Sequence, residues 1–237
     1  MVETPKVLGI IPARGGSKGI PHKNLKLLGG RPLIWYTIAS SLASCLLDTV
    51  MVSSDDLDTL NFTGLFPEIE IPFLRPEHLA NDCASTFDVV NHALDHYLKQ
   101  GIYFDYICLL QPTSPFRSKN LIDQCIEHTI ETDSDSLITV RRIPDQYHPY
   151  WAFNQDRQAQ LSLVVPQKDI ISRRQDLPAI YHRDGCIYVA KTSLVQQGLL
   201  LGGKVAAFEN TNSPYINIDT QADWNAAEKL LANGEWI

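Results

Sequence analysis

Short apolar runs alternate along the chain with longer amphipathic stretches. Lys6–Ile11 (KVLGII), Thr49–Ser53 (TVMVS), Tyr106–Leu110 (YICLL) and Ser136–Val140 (SLITV) are rich in β-branched residues and apolar at nearly every position. Such runs read as strands buried on both faces. Cys186–Ala190 (CIYVA) and Tyr215–Ile218 predict two shorter strands late in the chain. Between the runs the spacing becomes helical. Pro32 opens a helix running to Ser44, with Leu33, Tyr36, Thr37, Ser40 and Ala43 on one face. Phe87–Lys99, Asn120–Glu131 and Gln221–Ala232 are three more helices. Doubly apolar strands alternating with helices predict an α/β fold, a doubly wound and mostly parallel sheet covered on both faces. The rhythm stops between Ile143 and Pro178, a polar stretch with Tyr147, Tyr150, Trp151 and Phe153 near its start. Residues 143–178 are expected to form a lobe inserted in a single domain spanning 1–237. Its aromatics favour a protein interface, where Tyr and Trp are enriched, over an irregular surface excursion.

Composition narrows the partners. The 237 residues, 44% of them hydrophobic, suit one globular domain. With 20 Lys+Arg against 27 Asp+Glu the formal charge is −7, which excludes a broad nucleic-acid groove but leaves room for one small anion held by a few local cations. No apolar run approaches the roughly 20 residues that span a bilayer. Met1-Val2-Glu3-Thr4-Pro5-Lys6 lacks the basic and apolar regions of a signal peptide. The cysteines Cys45, Cys83, Cys108, Cys125 and Cys186 are scattered and form no C-x-x-C pair. A cytoplasmic protein with reduced thiols and no membrane partner is expected.

The candidate chemistry is concentrated after the first strand, in Pro12-Ala13-Arg14-Gly15-Gly16-Ser17-Lys18-Gly19-Ile20-Pro21-His22-Lys23-Asn24. Parallel sheets bind ligands at the carboxyl ends of their strands. Adjacent Gly15 and Gly16 let backbone N–H groups approach a polyphosphate, Arg14, Lys18 and Lys23 supply three cations, and Ser17 adds a hydroxyl. The loop matches neither G-x-x-x-x-G-K-[ST] nor G-x-G-x-x-G, so neither a Walker A loop nor a dinucleotide fold is expected. His92 and His96 share a helix face, but position 93 is Ala and the zinc-protease motif is absent.

The string IIPARGGSKGIPHKN resembles the N-terminal signature of the acylneuraminate cytidylyltransferases, the CMP-nonulosonic acid synthetases. LRPEHLANDCAST, LLQPTSPFR, RRQDLPAIYHRDGCIYVAK and YINIDTQADW resemble further segments of that family, in order along nearly the whole chain. The resemblance implies a Rossmann-like nucleotide-diphospho-sugar transferase fold, a homodimer through the inserted lobe, and a reaction in which an α-keto acid sugar such as sialic or legionaminic acid attacks CTP. It implies Mg²⁺ or Mn²⁺ as cofactor, and CTP and an acidic sugar as partners. By resemblance, Arg14, Gly15, Gly16, Ser17 and Lys18 contact the triphosphate, Lys23 holds it at the reacting phosphorus, and Asn24 orients the nucleotide or the loop. Arg75 and backbone groups near Ala80 recognise cytosine. Gln111 binds the sugar, Arg173 or Arg174 takes its carboxylate bidentately, and Tyr181 lines its pocket. Arg14, Lys18, Lys23 and Asp219 form the expected catalytic set.

One departure stands in the metal motif. Where the family carries Asp-x-Asp, this chain has Asn217-Ile218-Asp219. Strand alternation would place positions 217 and 219 on one face, so Asp219 with Asn217 is the expected metal pair, one negative charge short. Asp55 or Asp56 could supply the missing charge. His182 and Asp184 precede Gly185, where relatives commonly carry Asn before the Gly. Two other readings are kept: CMP activation of an eight-carbon keto-deoxy sugar acid, and a non-catalytic CTP-binding relative.

Overall fold

The computed structural model describes residues 4–16, 19–166 and 170–234. Its strands are β1 (Val7–Pro12), β2 (Leu27–Leu28), β3 (Arg31–Pro32), β4 (Thr49–Ser53), β5 (Ile69–Glu70), β6 (Tyr106–Leu110), β7 (Ser136–Arg142), β8 (Phe153–Gln155), β9 (Leu161–Leu163), β10 (Tyr181–Lys191) and β11 (Val205–Glu209). The helices are α1 (Leu33–Leu42), α2 (Leu57–Thr63), α3 (Thr86–Lys99), α4 (Leu121–Glu131), α5 (Thr192–Gln196) and α6 (Gln221–Ala232). Seven strands form one sheet in the order β11-β7-β10-β6-β1-β4-β5. β1 pairs in parallel with β4 on one side and β6 on the other, and only β10 runs against its two neighbours.

Period-two alternation along β1 sorts its side chains between the two faces. Val7 and Ile11 pack with Ile34, Ile38, Leu121 and Cys125, beneath α1 and α4. Leu8 and Ile10 pack with Val90, Ala93, Tyr97 and Leu194, beneath α3 and α5. A third cluster lies beyond the strand ends, where Ile20, Leu28, Leu33 and Phe116 enclose Ile218, Trp224 and Ala227. This cluster fastens the start of α6 to the loop after β1. The start of α6 is itself fixed by a capping box between Thr220 and Asp223.

Four sequence expectations change. Tyr215–Ile218 forms no sheet strand, because this segment crosses the strand ends and pairs there by one backbone–backbone bond among the described residues, from the Ile218 N–H to the Thr113 carbonyl at 2.7 Å. The expected Cys186–Ala190 strand is the C-terminal half of the longer, antiparallel β10. The buried side of α1 is Leu33, Ile34, Thr37, Ile38 and Ser41, rotated from the expected face, because Tyr36 turns aside to donate to the Leu28 carbonyl at 2.6 Å. The edge strand β11 and the short α2 were not anticipated, having half-exposed rather than continuous apolar patterns.

Residues 143–178 leave the sheet from β7 and return to β10, and the Ile143 N–H donates to the Ile180 carbonyl at 2.8 Å where the two ends meet. The excursion carries the antiparallel hairpin β8–β9. The Trp151 indole N–H donates to the Ile171 carbonyl at 2.6 Å, whereas Tyr147, Phe153, Leu161 and Ile170 are exposed. No helix among the described residues is long and apolar enough to cross a membrane. Cys108, Cys125 and Cys186 are buried, and Cys45 and Cys83 are exposed, all as free thiols.

Candidate active site

The chain leaves β1 and β6, adjacent strands, at the same sheet edge, and the strand order departs in opposite directions on either side of them. That is a topological switch point, where α/β sheets form ligand crevices. A cleft of about 450 Å³ opens there. Its walls are the loop after β1 (Pro12, Arg14, Gly19, Lys23, Asn24), the segment before α3 (Arg75, Leu79, Asn81, Asp82, Ser85), the turn after β6 (Gln111, Pro112, Thr113) and Asp219.

The loop is held from below. Asn24 is buried and donates its side-chain N–H to the Arg14 carbonyl at 3.0 Å, so its role in this structure is to brace the loop. The Gly15 N–H donates to Asp55 Oδ1 at 3.0 Å. Asp55 therefore acts on the loop backbone. Gly16 has open space where a Cβ would stand, but Gly19 does not: a Cβ there would lie 2.1 Å from the Asp219 carbonyl oxygen. The closest backbone approach is thus at the third glycine of GGSKG, which sequence reasoning did not single out. Ser17 and Lys18 lie outside the described residues.

Each described cation of the loop has an anionic partner across the cleft. Arg14 Nη1 lies 2.9 Å from Asp82 Oδ1. Lys23 Nζ lies 3.0 Å from Asp219 Oδ1 and donates to the Ile218 carbonyl at 2.7 Å, with its side chain 11% exposed and that of Asp219 62% exposed. Asp82 was missed because nothing in the sequence brings it to a residue 68 positions away; it lies within the LANDCAST segment that the resemblance marks.

Arg75 is 4% exposed and donates to Ser53 Oγ at 3.0 Å and to the Ser53 carbonyl at 2.5 Å. Burial pulls its guanidinium down to about 10, with Asp55 opposing and Arg14 reinforcing that shift. It remains charged at neutral pH. It lines the cleft, whereas Ala80 spends its N–H on the Glu77 carbonyl at 3.0 Å, and its neighbours Leu79 and Asn81 form the wall instead.

Asn217 and Asp219 do meet, although not as alternating strand positions. Asn217 donates to Asp219 Oδ2 at 3.1 Å, and its own Oδ1 is buried with no hydrogen-bond partner among the described residues. As placed, the amide turns its N–H to the carboxylate; a half-turn of the amide would exchange the two ends and bring its oxygen beside Asp219, a hard-oxygen donor set. Among the described residues no three His, Cys, Asp or Glu side chains converge as a metal cage. The pair fits an ion that brings waters and substrate phosphates of its own, as Mg²⁺ does.

Gln111 lines the cleft, while Arg173, Arg174 and Tyr181 do not. Arg173 is bonded to Asp176 at 2.7 Å and Arg174 to Asp145, both on the inserted lobe. Tyr181 is exposed at the start of β10.

A family model described as cytidylyltransferase matches residues 8–233. The chain belongs to the cytidylyltransferase family. It is 33% identical over 231 residues to the CMP-N,N'-diacetyllegionaminic acid synthase of Legionella pneumophila, covering 95% of this chain and 96% of that protein. It is 31% identical over 226 residues to a pseudaminic acid cytidylyltransferase of Campylobacter jejuni, covering 95% and 96%. Among solved structures, a CMP:2-keto-3-deoxy-manno-octonic acid synthetase complexed with CTP superposes with a TM-score of 0.71 over 97% of this chain and 99% of that one, at 17% identity, which establishes a shared fold. This cytidylyltransferase therefore carries its signature loop, its Gln111 turn and Asp219 around one crevice of a nucleotidyltransferase fold.

Proposed function

We infer that this cytidylyltransferase transfers CMP from CTP to a nine-carbon α-keto acid sugar, releasing pyrophosphate. The convergence of Arg14, Lys23 and Asp219 with Gln111 on one cleft carries the reading, and the full-length relatives that act on legionaminic and pseudaminic acids support it over an eight-carbon substrate. The anomeric hydroxyl oxygen of the sugar bonds to the α-phosphorus, the bond from that phosphorus to the bridging oxygen breaks, pyrophosphate leaves, and the hydroxyl proton passes to solvent. Arg14 exchanges Asp82 for phosphate oxygens, and Lys23 exchanges Asp219. Both exchanges swap one anion for another, so the cations need not be desolvated anew. Asp219 and Asn217 are then free to hold Mg²⁺ or Mn²⁺, which when bound supplies charge neutralisation on the triphosphate. Arg75 is fixed for the cytosine side, and Gln111 faces the sugar.

Two features beyond the cleft belong to the same proposal. The exposed Tyr147, Phe153, Leu161 and Ile170 of the lobe suit a homodimer. In a dimer the lobe arginines, Arg173 or Arg174, reach the sugar carboxylate of the neighbouring copy. The direct test is pyrophosphate release from CTP and Mg²⁺ with a panel of sialic, legionaminic, pseudaminic and eight-carbon keto-deoxy acids. Turnover with at least one nine-carbon acid is expected. Tight CTP binding with no turnover on any member would replace the enzyme by a nucleotide-binding relative.

A further inference from the structure

Arg117 is a buried cation at 6% exposure whose hydrogen-bond partners are all uncharged. Its Nη1 donates to Thr37 Oγ1 of α1 at 2.9 Å. Its Nη2 donates to the Gln111 carbonyl at 2.7 Å and to the Cys186 carbonyl of β10 at 3.2 Å. Its Nε has no partner among the described residues. A guanidinium without a carboxylate is a costly way to fill a core, because burial of a charge is repaid only by good hydrogen bonds. What it offers over an apolar residue is a rigid fork of donors that reaches three elements at once.

The element that gains most is the Gln111–Thr113 turn. The Gln111 carbonyl takes the Arg117 bond and a second from the Ser114 N–H at 3.2 Å, so the first residue of the turn is held from two sides. At the far end, the Thr113 carbonyl accepts from the Ile218 N–H at 2.7 Å. The Ile218 carbonyl in turn accepts from Lys23 Nζ at 2.7 Å. The path from the buried guanidinium to the Lys23 amine is therefore continuous: Arg117, the turn, Ile218, Lys23. Gln111, Thr113, Lys23 and Asp219 all line the cleft, and Arg117 does not.

We propose that Arg117 is a positioning residue for nucleotidyl transfer, setting the Gln111–Thr113 turn and, through Ile218, the place of the Lys23 amine. The proposal rests on the function inferred above, since it assigns the turn to the sugar side of that reaction. It acts at a distance from the reacting atoms, so its loss moves kcat and the sugar KM more than the CTP KM.

Arg117→Lys keeps the charge and loses the three-way reach, and Thr37→Val removes one partner while leaving the side chain intact. Two measurements are made on each. The first is steady-state kinetics with saturating Mg²⁺. A fall in kcat of at least about tenfold with a raised sugar KM is expected for Arg117→Lys, since small misplacements of a reacting group cost this much, with the CTP KM changed less than about threefold and a smaller shift in the same direction for Thr37→Val. The second is amide hydrogen exchange, which needs no turnover. The Ile218 and Ser114 amides should exchange at least about tenfold faster while Ile10 in β1 keeps its protection, because local opening is confined to the released segment. Uniform acceleration of all amides, or an Ile218 amide unchanged in Arg117→Lys, would overturn the proposal. If Arg117→Lys does not fold, the same two readings on Thr37→Val decide. A wild-type protein inactive on every sugar acid would sink the inferred function alone, and the exchange measurement would still judge Arg117.

Discussion

Replacing Gly19 by Ala tests the geometry of the cleft at its tightest point. The new Cβ would sit 2.1 Å from the Asp219 carbonyl oxygen. Carbon–oxygen contacts in proteins settle at roughly 3.3–3.6 Å, so the loop and the Asp219 segment must part by about 1 Å. Neither side can yield freely. Ile20 on one side and Ile218 on the other are buried in the same cluster with Trp224, and the Lys23 amine is bonded to the Ile218 carbonyl at 2.7 Å. The strain therefore falls on the Lys23–Asp219 contact. A displacement of about 1 Å near reacting groups costs on the order of 100-fold, or about 2.7 kcal/mol of transition-state stabilisation. Pyrophosphate release under kcat/KM conditions should show that loss for Gly19→Ala. The control is Gly16→Ala, where no described residue lies within 4 Å of the added methyl and a change within about twofold is expected. Gly19→Ala retaining activity within about threefold while Gly16→Ala collapses would refute this reasoning and return the weight to the double glycine.

Asp219→Asn should abolish most Mg²⁺-dependent turnover, and Asn217→Asp should preserve or raise metal affinity, because a second carboxylate would stand where the orphaned Oδ1 is now; Mg²⁺ titrations of turnover check both, and unaltered Mg²⁺ dependence in Asp219→Asn would contradict the metal assignment. The Thr220 hydroxyl, helped by backbone N–H groups of Thr220 and Asp219, holds the Asp223 carboxyl below its ordinary range. A carboxyl depressed on folding contributes stability above its unfolded value of about 3.9 and loses it as pH falls through the folded one. Melting temperatures of wild type and Asp223→Asn should therefore differ at pH 7 and draw together only as pH falls through the depressed folded value; a constant gap would refute the cap's ionic character. Leu161→Asp on the exposed lobe should turn a sedimenting dimer into a monomer, and a wild-type monomer at tens of micromolar would end the dimer proposal.

Much of the architecture was legible because burial leaves a simple trace. The limits of β4, β6 and α6 coincide with the expected Thr49–Ser53, Tyr106–Leu110 and Gln221–Ala232. Strand direction left no such trace: CIYVA is apolar on both faces whichever way it runs, so the antiparallel course of β10 could not be read from it. The 215–218 segment has strand-like composition, yet its neighbours in space are the ends of strands and not their flanks. Arg14, Lys23 and Gln111 follow recognisable strands and Arg75 and Asp219 were marked by the family resemblance alone; the fold brings all five to one cleft. Asp82 facing Arg14, Gly19 against Asp219, and Arg117 behind Gln111 join parts of the chain far apart in sequence, and only the folded backbone brings them together.

The lobe enters from β7 and returns into β10, strands already paired to each other, with Arg142 opposite Tyr181 and the Ile143 N–H on the Ile180 carbonyl. Its two stems are thus clasped side by side, as at the tip of a hairpin. Such a junction is a ready splice point. On the proposed reading, in which Arg173 or Arg174 of the lobe serves the sugar, a lobe from a relative with a different sugar grafted across residues 143–180 would change the acceptor side alone, because no described residue of that span lines the cleft.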